Sequence, residues 1–418
     1  MTFSTLGLTP ALLDAVNAMG YISPTLVQKL AITPALAGRD VLGSAPTGSG
    51  KTLAFALPLL QGLQPSDARL PRVQALVLVP TRELAVQVGE VISALARQLP
   101  RSVKVTVLFG GVSANPQMMR LRGGADVVVA TPGRLLDLLA HNALSLGSTA
   151  LLVLDEADRM LDLGFAEELN QLQALLPGQR QNLFFSATFS PGVQALVQTL
   201  LNDPVRVQAS GPAQQPPKIV QRAIAVDAAQ RTQLLHHLIG LHGWARVLVF
   251  VATKYATEIV ADKLRKGGLA AEPFHGELSQ GKRSQVLTDF KASRLSVVVA
   301  TDLAARGLDI TELPVVVNFD LPRSTQDYTH RIGRTGRAGV AGLAVSFVSA
   351  ATLSHFRLIE KRQCVSLPLE SIGGFAATEV PPPASTSPNA PGNGGIKGSR
   401  PSKKDRLRAH ATAQKQPS

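Results

Sequence analysis

Between Arg39 and Val207 the chain repeats short apolar runs: DVLGS, ALVLVP, KVTVLFG, DVVVAT, LLVLDE and NLFFSAT. Stretches such as ELAVQVGEVISALARQL, apolar on a helical period, separate them. Continuous apolar strands alternating with amphipathic helices predict a mostly parallel sheet covered on both faces, an α/β fold. A connector rich in Pro, Gly and Gln, ASGPAQQPPK, breaks the pattern from Ala209 to Lys218. The same grammar then resumes with RVLVFVAT, LSVVVAT, VVVNFD and LAVSFV. The chain therefore divides into two α/β domains, 1–207 and 219–370, with a flexible linker at 208–218. Beyond residue 370 Pro, Ser, Ala, Gly and Asn dominate, and PPPASTSPNAPGNGG has too little apolar surface to bury a core. Residues 371–418 are expected to form a disordered tail.

Composition narrows this picture. A length of 418 residues is more than one core usually serves. Aromatics make up only 4% of the chain, so the cores are expected to be aliphatic. A net charge of +13 favours a polyanion as partner, nucleic acid before membrane. The tail holds seven Lys and Arg against two Asp and Glu, which suits phosphate backbones, although an inert solubilising tail has the same composition. The single cysteine, Cys364, excludes an intrachain disulfide and any multi-cysteine metal cluster, and fits a reducing compartment. The N-terminus lacks the pattern of a secretory leader, and no apolar stretch is long enough to span a bilayer, so a cytoplasmic location is expected.

Two motifs carry chemistry. Residues 45–52, APTGSGKT, stand between a strand pattern and a helical one, the setting of a phosphate-binding loop. Ala45, Pro46, Thr47, Gly48, Ser49 and Gly50 would wrap the phosphates. Lys51 would reach the β- and γ-phosphates, and Thr52 would place its hydroxyl on Mg²⁺. Ala45 stands where the general pattern has glycine. The second motif, LLVLDEADRM at Leu151–Met160, drives an apolar strand into three carboxylates. In nucleoside triphosphatases with such a loop, an acid at this place holds Mg²⁺, a role that fits Asp155. Glu156 is then the candidate base for the attacking water. Crowded carboxylates resist ionising together, and a bound cation relieves them.

With APTGSGKT, DEAD and HRIGRTGR in that order, the chain resembles the DEAD-box ATP-dependent RNA helicases over roughly Phe3 to Ser349. Its length and short basic tail suggest the bacterial RhlE-like group. The resemblance implies two tandem RecA-like domains, ATP and Mg²⁺ as cofactors, and RNA as partner. It implies that Phe3, Tyr21 and Gln28 read adenine, and that Asp302 lies at the ribose. It assigns RNA contact to Thr81, Arg82, Gly111, Thr131, Arg134, Thr253 and Thr301. Asp158, Ser186, Thr188, Gln280, Arg283, Arg306 and His330 are implied as interdomain coupling residues. Arg334 and Arg337 would stabilise charge on the γ-phosphate, as arginine fingers do.

The reaction implied is ATP hydrolysis coupled to local unwinding of short duplexes or to remodelling of RNA–protein complexes, with little sequence preference. Scarce aromatics agree with gripping the backbone and disfavour base-stacking platforms. A processive DNA translocase shares the two-domain layout but is disfavoured by DEAD and the Gln28 segment. An ATP-gated RNA clamp is the other rival. Ribosomal precursors and RNA-decay assemblies are candidate targets.

Overall fold

The first lobe carries strands β1 (Val41–Ser44), β2 (Ala75–Leu78), β3 (Val105–Leu108), β4 (Val127–Ala130), β5 (Leu151–Leu154), β6 (Gln181–Ser186) and β7 (Val205–Gln208). The second carries β8 (Ile219–Ala225), β9 (Val247–Val251), β10 (Ala271–Phe274), β11 (Val297–Thr301), β12 (Val315–Asn318), β13 (Gly342–Val348) and β14 (Leu369–Glu370). This computed structural model describes residues 2–45, 48–65, 70–208, 219–305, 313–336 and 341–379, less the side chain of Gln326. Pro46, Thr47, Arg306, Arg337, nearly all of the expected linker and residues 380–418 lie outside the described residues.

Each lobe builds one seven-stranded sheet, in the orders β3-β4-β2-β5-β6-β1-β7 and β10-β11-β9-β12-β13-β8-β14. All strand pairings among the described residues are parallel. Adding seven to every strand number of the first order gives the second, so the lobes are topological copies. The two tandem RecA-like domains expected from the sequence are present.

The period of two along buried strands explains why both sheet faces are covered. Val77 and Val153 enter one core cluster while Leu76, Leu78, Leu152 and Leu154 enter the other. Val247, Val249 and Val251 likewise face away from Leu248 and Phe250. The aliphatic expectation holds for most strand positions but not for the whole core, because β6, β10 and β13 also bury phenylalanines. Tyr328, Phe55, Phe184, Phe185, Phe274, Phe290, Phe347 and Phe356 are among the largest fully buried side chains, so the scarce aromatics are spent inside.

Two boundaries differ from expectation. β10 contains Pro273 and escapes the apolar-run pattern, yet it sits at a sheet edge, where a missing N–H is tolerated. Residues 371–379 belong to the second lobe and not to the tail. Ile372 and Phe375 pack against its core, and Phe375 lies 5.3 Å from the His237 ring. No helix among the described residues is long and apolar enough to cross a membrane.

Candidate active site

Parallel strands deliver their following loops to one edge of the sheet, where ligands of open α/β sheets bind. In the first lobe that edge receives the glycine-rich turn after β1, Thr81 after β2, Thr131 after β4, Asp155 after β5 and Ser186 at the end of β6.

The turn after β1 enters the helix Lys51–Gly62 through Gly50, whose φ is +92°. A Cβ there would sit 2.6 Å from Gln28 Nε2 and 3.0 Å from Thr25 Oγ1, so only glycine fits. Gln28 Nε2 donates to the Gly50 carbonyl at 3.0 Å, and Gln28 Oε1 accepts from the Thr25 N–H at 2.8 Å. The expected adenine reader is thus buried and latched onto the loop. One amide N–H and one lone pair are left over for a base. Phe3 packs in the core, 4% exposed, whereas Tyr21 is 39% exposed. Of the two aromatic candidates, Tyr21 has the ring available for stacking.

Lys51, buried at the start of that helix, holds its Nζ 3.6 Å from Asp155 Oδ1. Burial raises the Asp155 pKa against the opposing pull of Lys51. Such a carboxylate is comfortable as an anion only with more positive charge nearby. Its oxygens and the Thr52 hydroxyl are the ligand type Mg²⁺ takes, so the donor set fits that ion. Burial also pushes Glu156 upward, but Arg159, Lys51 and Arg334 outweigh it, and its pKa is lowered. Arg159 Nη1 donates to Glu156 Oε2. The Glu156 backbone is left-handed, φ +54°, a strained state for a residue with a side chain.

Of the residues expected to couple the lobes, Asp158, Ser186 and Thr188 contact one another. Asp158 Oδ2 accepts from the Thr188 N–H at 2.9 Å and from its hydroxyl at 2.8 Å. Ser186 Oγ accepts from the Asp158 N–H at 3.3 Å and donates to the Thr188 carbonyl at 2.7 Å. His330, on the second lobe, has its pKa lowered by burial and then by Arg159 and Arg334. Arg334 therefore acts on Glu156 and Arg159 on His330, in both cases across the cleft. Arg159, Asp302, His330, Arg331 and Arg334 line one cavity there. A second bridge is the buried ion pair of Arg283 Nε with Glu83 Oε1, at 2.8 Å. The pair is close but not aimed as a hydrogen bond. Sequence reasoning named Arg283 but missed Glu83. Gln280, at the start of the same helix Gln280–Lys291, is half-buried.

Asp302 is held from behind. Its carboxylate accepts two hydrogen bonds of 2.6 Å from Arg331, one on each oxygen, and each oxygen keeps a lone pair for a further donor. Arg331, three residues before Arg334, was given no role by the sequence. It is 2% exposed and also donates to Asn318 Oδ1 and the Asp320 carbonyl.

The expected RNA residues split into two groups. Arg82 lies against Gly111, whose φ of +76° and lack of Cβ make room for the guanidinium. Arg134 Nη2 donates to the Val112 carbonyl at 2.7 Å, tying the same loop down. Thr81 and Thr253 cap helices, accepting from Leu84 at 3.3 Å and Ala256 at 3.1 Å. Thr131 is buried, and Thr301, half-buried, accepts from the Ala304 N–H at 3.4 Å.

Family models match twice: "DEAD/DEAH box helicase" over residues 25–196 and "Helicase conserved C-terminal domain" over residues 230–339. The ATP-dependent RNA helicase DeaD of Escherichia coli is 41% identical over 367 residues, covering 88% of this chain and 58% of that protein. The chain thus spans under two thirds of the length of the curated relatives it matches. The S. cerevisiae Dbp5 structure bound to RNA and ADP BeF3 is 30% identical, covers 88% of this chain and 95% of that one, and gives a TM-score of 0.77. A Dbp5 variant bound to Nup159, Gle1, IP6 and ADP, also 30% identical, covers 88% and 96% and gives 0.60.

Proposed function

Because the chain belongs to the DEAD/DEAH box helicase family, we propose that it is an RNA-stimulated ATPase that locally unwinds short duplexes or remodels RNA–protein complexes. The observation that carries this is Arg334 of one lobe acting on Glu156 of the other, beside Lys51. Acid and cation meet only when the lobes do. Hydrolysis is then gated by whatever brings them together, and a shared closed state makes ATP and RNA raise each other's affinity.

In this reading Lys51 and the turn before it hold the phosphates, and Arg334 opposes charge building on the γ-phosphate. Glu156 accepts the proton of the water that attacks the γ-phosphorus. Mg²⁺, held by Thr52 and Asp155, would offset charge between the β- and γ-phosphates. The Gln28–Gly50 latch makes an adenine at Gln28 a reporter on the loop it touches. Arg82, Gly111 and Arg134 cluster as a backbone-gripping surface, which supports RNA contact with little sequence preference.

The finer points are inferences of the same kind. The basic composition after residue 370 supports the RhlE-like group, the single cysteine supports a cytoplasmic setting, and ribosomal precursors or RNA-decay assemblies suit a remodeller of this type. ATPase rates with RNA and with DNA of equal sequence, measured beside Glu156→Gln, test the core claim. Removal of a general base should cost about 10²–10⁴-fold in turnover while ATP and RNA still bind. Equal stimulation by DNA, or normal turnover in Glu156→Gln, would overturn it.

A further inference from the structure

We propose that Arg159 is a positioning residue for hydrolysis: it anchors Oε2 of Glu156 so that Oε1 faces the attacking water. The inference rests on the functional reading above and adds a residue to it.

Arg159 follows Glu156 by three positions and donates to one of its carboxylate oxygens. The two side chains are 10% and 9% exposed. Burying such a pair costs desolvation that its attraction barely recovers, so it is poorly explained by stability alone. The helix it begins, Ala157–Asp162, has only six residues and would not need it. The surroundings instead hold both partners in register. The Arg159 N–H bonds Asp158 Oδ1 at 3.1 Å, and Asp158 is itself fixed by Thr188. Glu156 leaves its strand in a left-handed turn, φ +54° and ψ +49°. Lys51, Asp155 and Arg334 crowd the same acid, and Arg159 is the neighbour that grips it by a hydrogen bond. In the reaction the water oxygen bonds to phosphorus, the bond to the β–γ bridging oxygen breaks, and the water proton passes to Oε1. A carboxylate free to rotate would present that oxygen only part of the time.

Steady-state ATPase with saturating RNA tests this in the full chain. Arg159→Met should lower kcat about 10- to 100-fold, as a misplaced catalytic group does, with KM for ATP nearly unchanged. Arg159→Lys, which can still donate to Oε2, should recover most of that loss. If Arg159→Met does not fold, Arg159→Gln carries the same comparison. Unchanged kcat, a KM rising in step with the fall in kcat, or Lys no better than Met would overturn the assignment. Wild type and Glu156→Gln are run alongside. A wild type without RNA-stimulated turnover sinks the underlying reading, whereas an active wild type, an inert Glu156→Gln and an unimpaired Arg159→Met sink only Arg159.

Discussion

After β1 the first lobe turns through glycines into a helix whose opening N–H groups have no partner within the helix. After β8, its topological counterpart, the second lobe places Asp227. Asp227 accepts from the backbone N–H groups of Thr378 and Glu379 at 2.9–3.0 Å and from the Thr378 hydroxyl at 2.7 Å. One lobe offers donors to an incoming anion, and the other fills the same place with an anion of its own and gives it the chain's donors. The topology supplies a location, and the residues there decide the sign of what it binds. This is why two copies of one architecture yield one nucleotide cradle, with the second copy free to supply cations to the first.

That division of labour requires the lobes to meet, so the largest effect is expected where they touch. Arg283→Met would leave Glu83, 10% exposed, buried without its cation. Breaking a buried pair costs about 3–5 kcal/mol, and the poor alignment of this one argues for the low end, about 3 kcal/mol or roughly a hundredfold in closure. RNA affinity measured with a non-hydrolysable ATP analogue should fall accordingly and recover in part when Glu83→Gln is added. Equal affinity in wild type and variant would show that the lobes meet without this bridge.

A smaller effect tests the cradle itself. Gly50→Ala forces a left-handed backbone, at about 1–2 kcal/mol, and drives its Cβ into Gln28. ATP affinity by titration should drop about tenfold, following the same energy, while RNA binding without nucleotide is unaltered. A loss of both would mean that the cradle supports the lobe and not only the ligand.

How much of this was readable in the chain depends on range. APTGSGKT and the acids after β5 are local motifs, and their placement at strand ends follows from the apolar runs beside them. Arg159, three residues from Glu156, was also legible as a charge pair at helical spacing. The carboxylates before it hide that pairing, because Arg159 could answer Asp155 or Glu156 equally well by spacing alone. Gln28 shows a different limit, since its amide type suits adenine and a neighbouring loop equally well. Glu83 with Arg283, and Asp227 with Thr378, join residues far apart in the chain. No periodicity or motif marks such pairs, and only the packed lobes bring them together. Residues 371–379 read as tail because IGGFAATE has no regular pattern. Two apolar side chains and one carboxylate hold them in place nonetheless.

The smallest effect belongs to that carboxylate. Its pKa is held below the ordinary 3.8, first by the Glu379 N–H and then by the hydroxyl and N–H of Thr378. A carboxyl whose folded pKa lies below its unfolded one adds stability that is present above the unfolded value. That stability is lost as pH falls through the folded one. Docking of 371–379 should therefore be intact from neutral pH down to about the ordinary Asp value near 4, and should loosen in stronger acid. Asp227→Asn removes the charge at every pH and should imitate that loosening at pH 7. Amide exchange at Thr378 and Glu379 should accelerate in the variant, with exchange in β9 and β12 unchanged. ATP turnover should also be unchanged, because the segment's hydrogen bonds among the described residues run to Asp227 and not to the cradle. If turnover fell with Asp227→Asn, the second lobe's version of the site would be more than a closed-off copy, and the asymmetry between the lobes would need another origin.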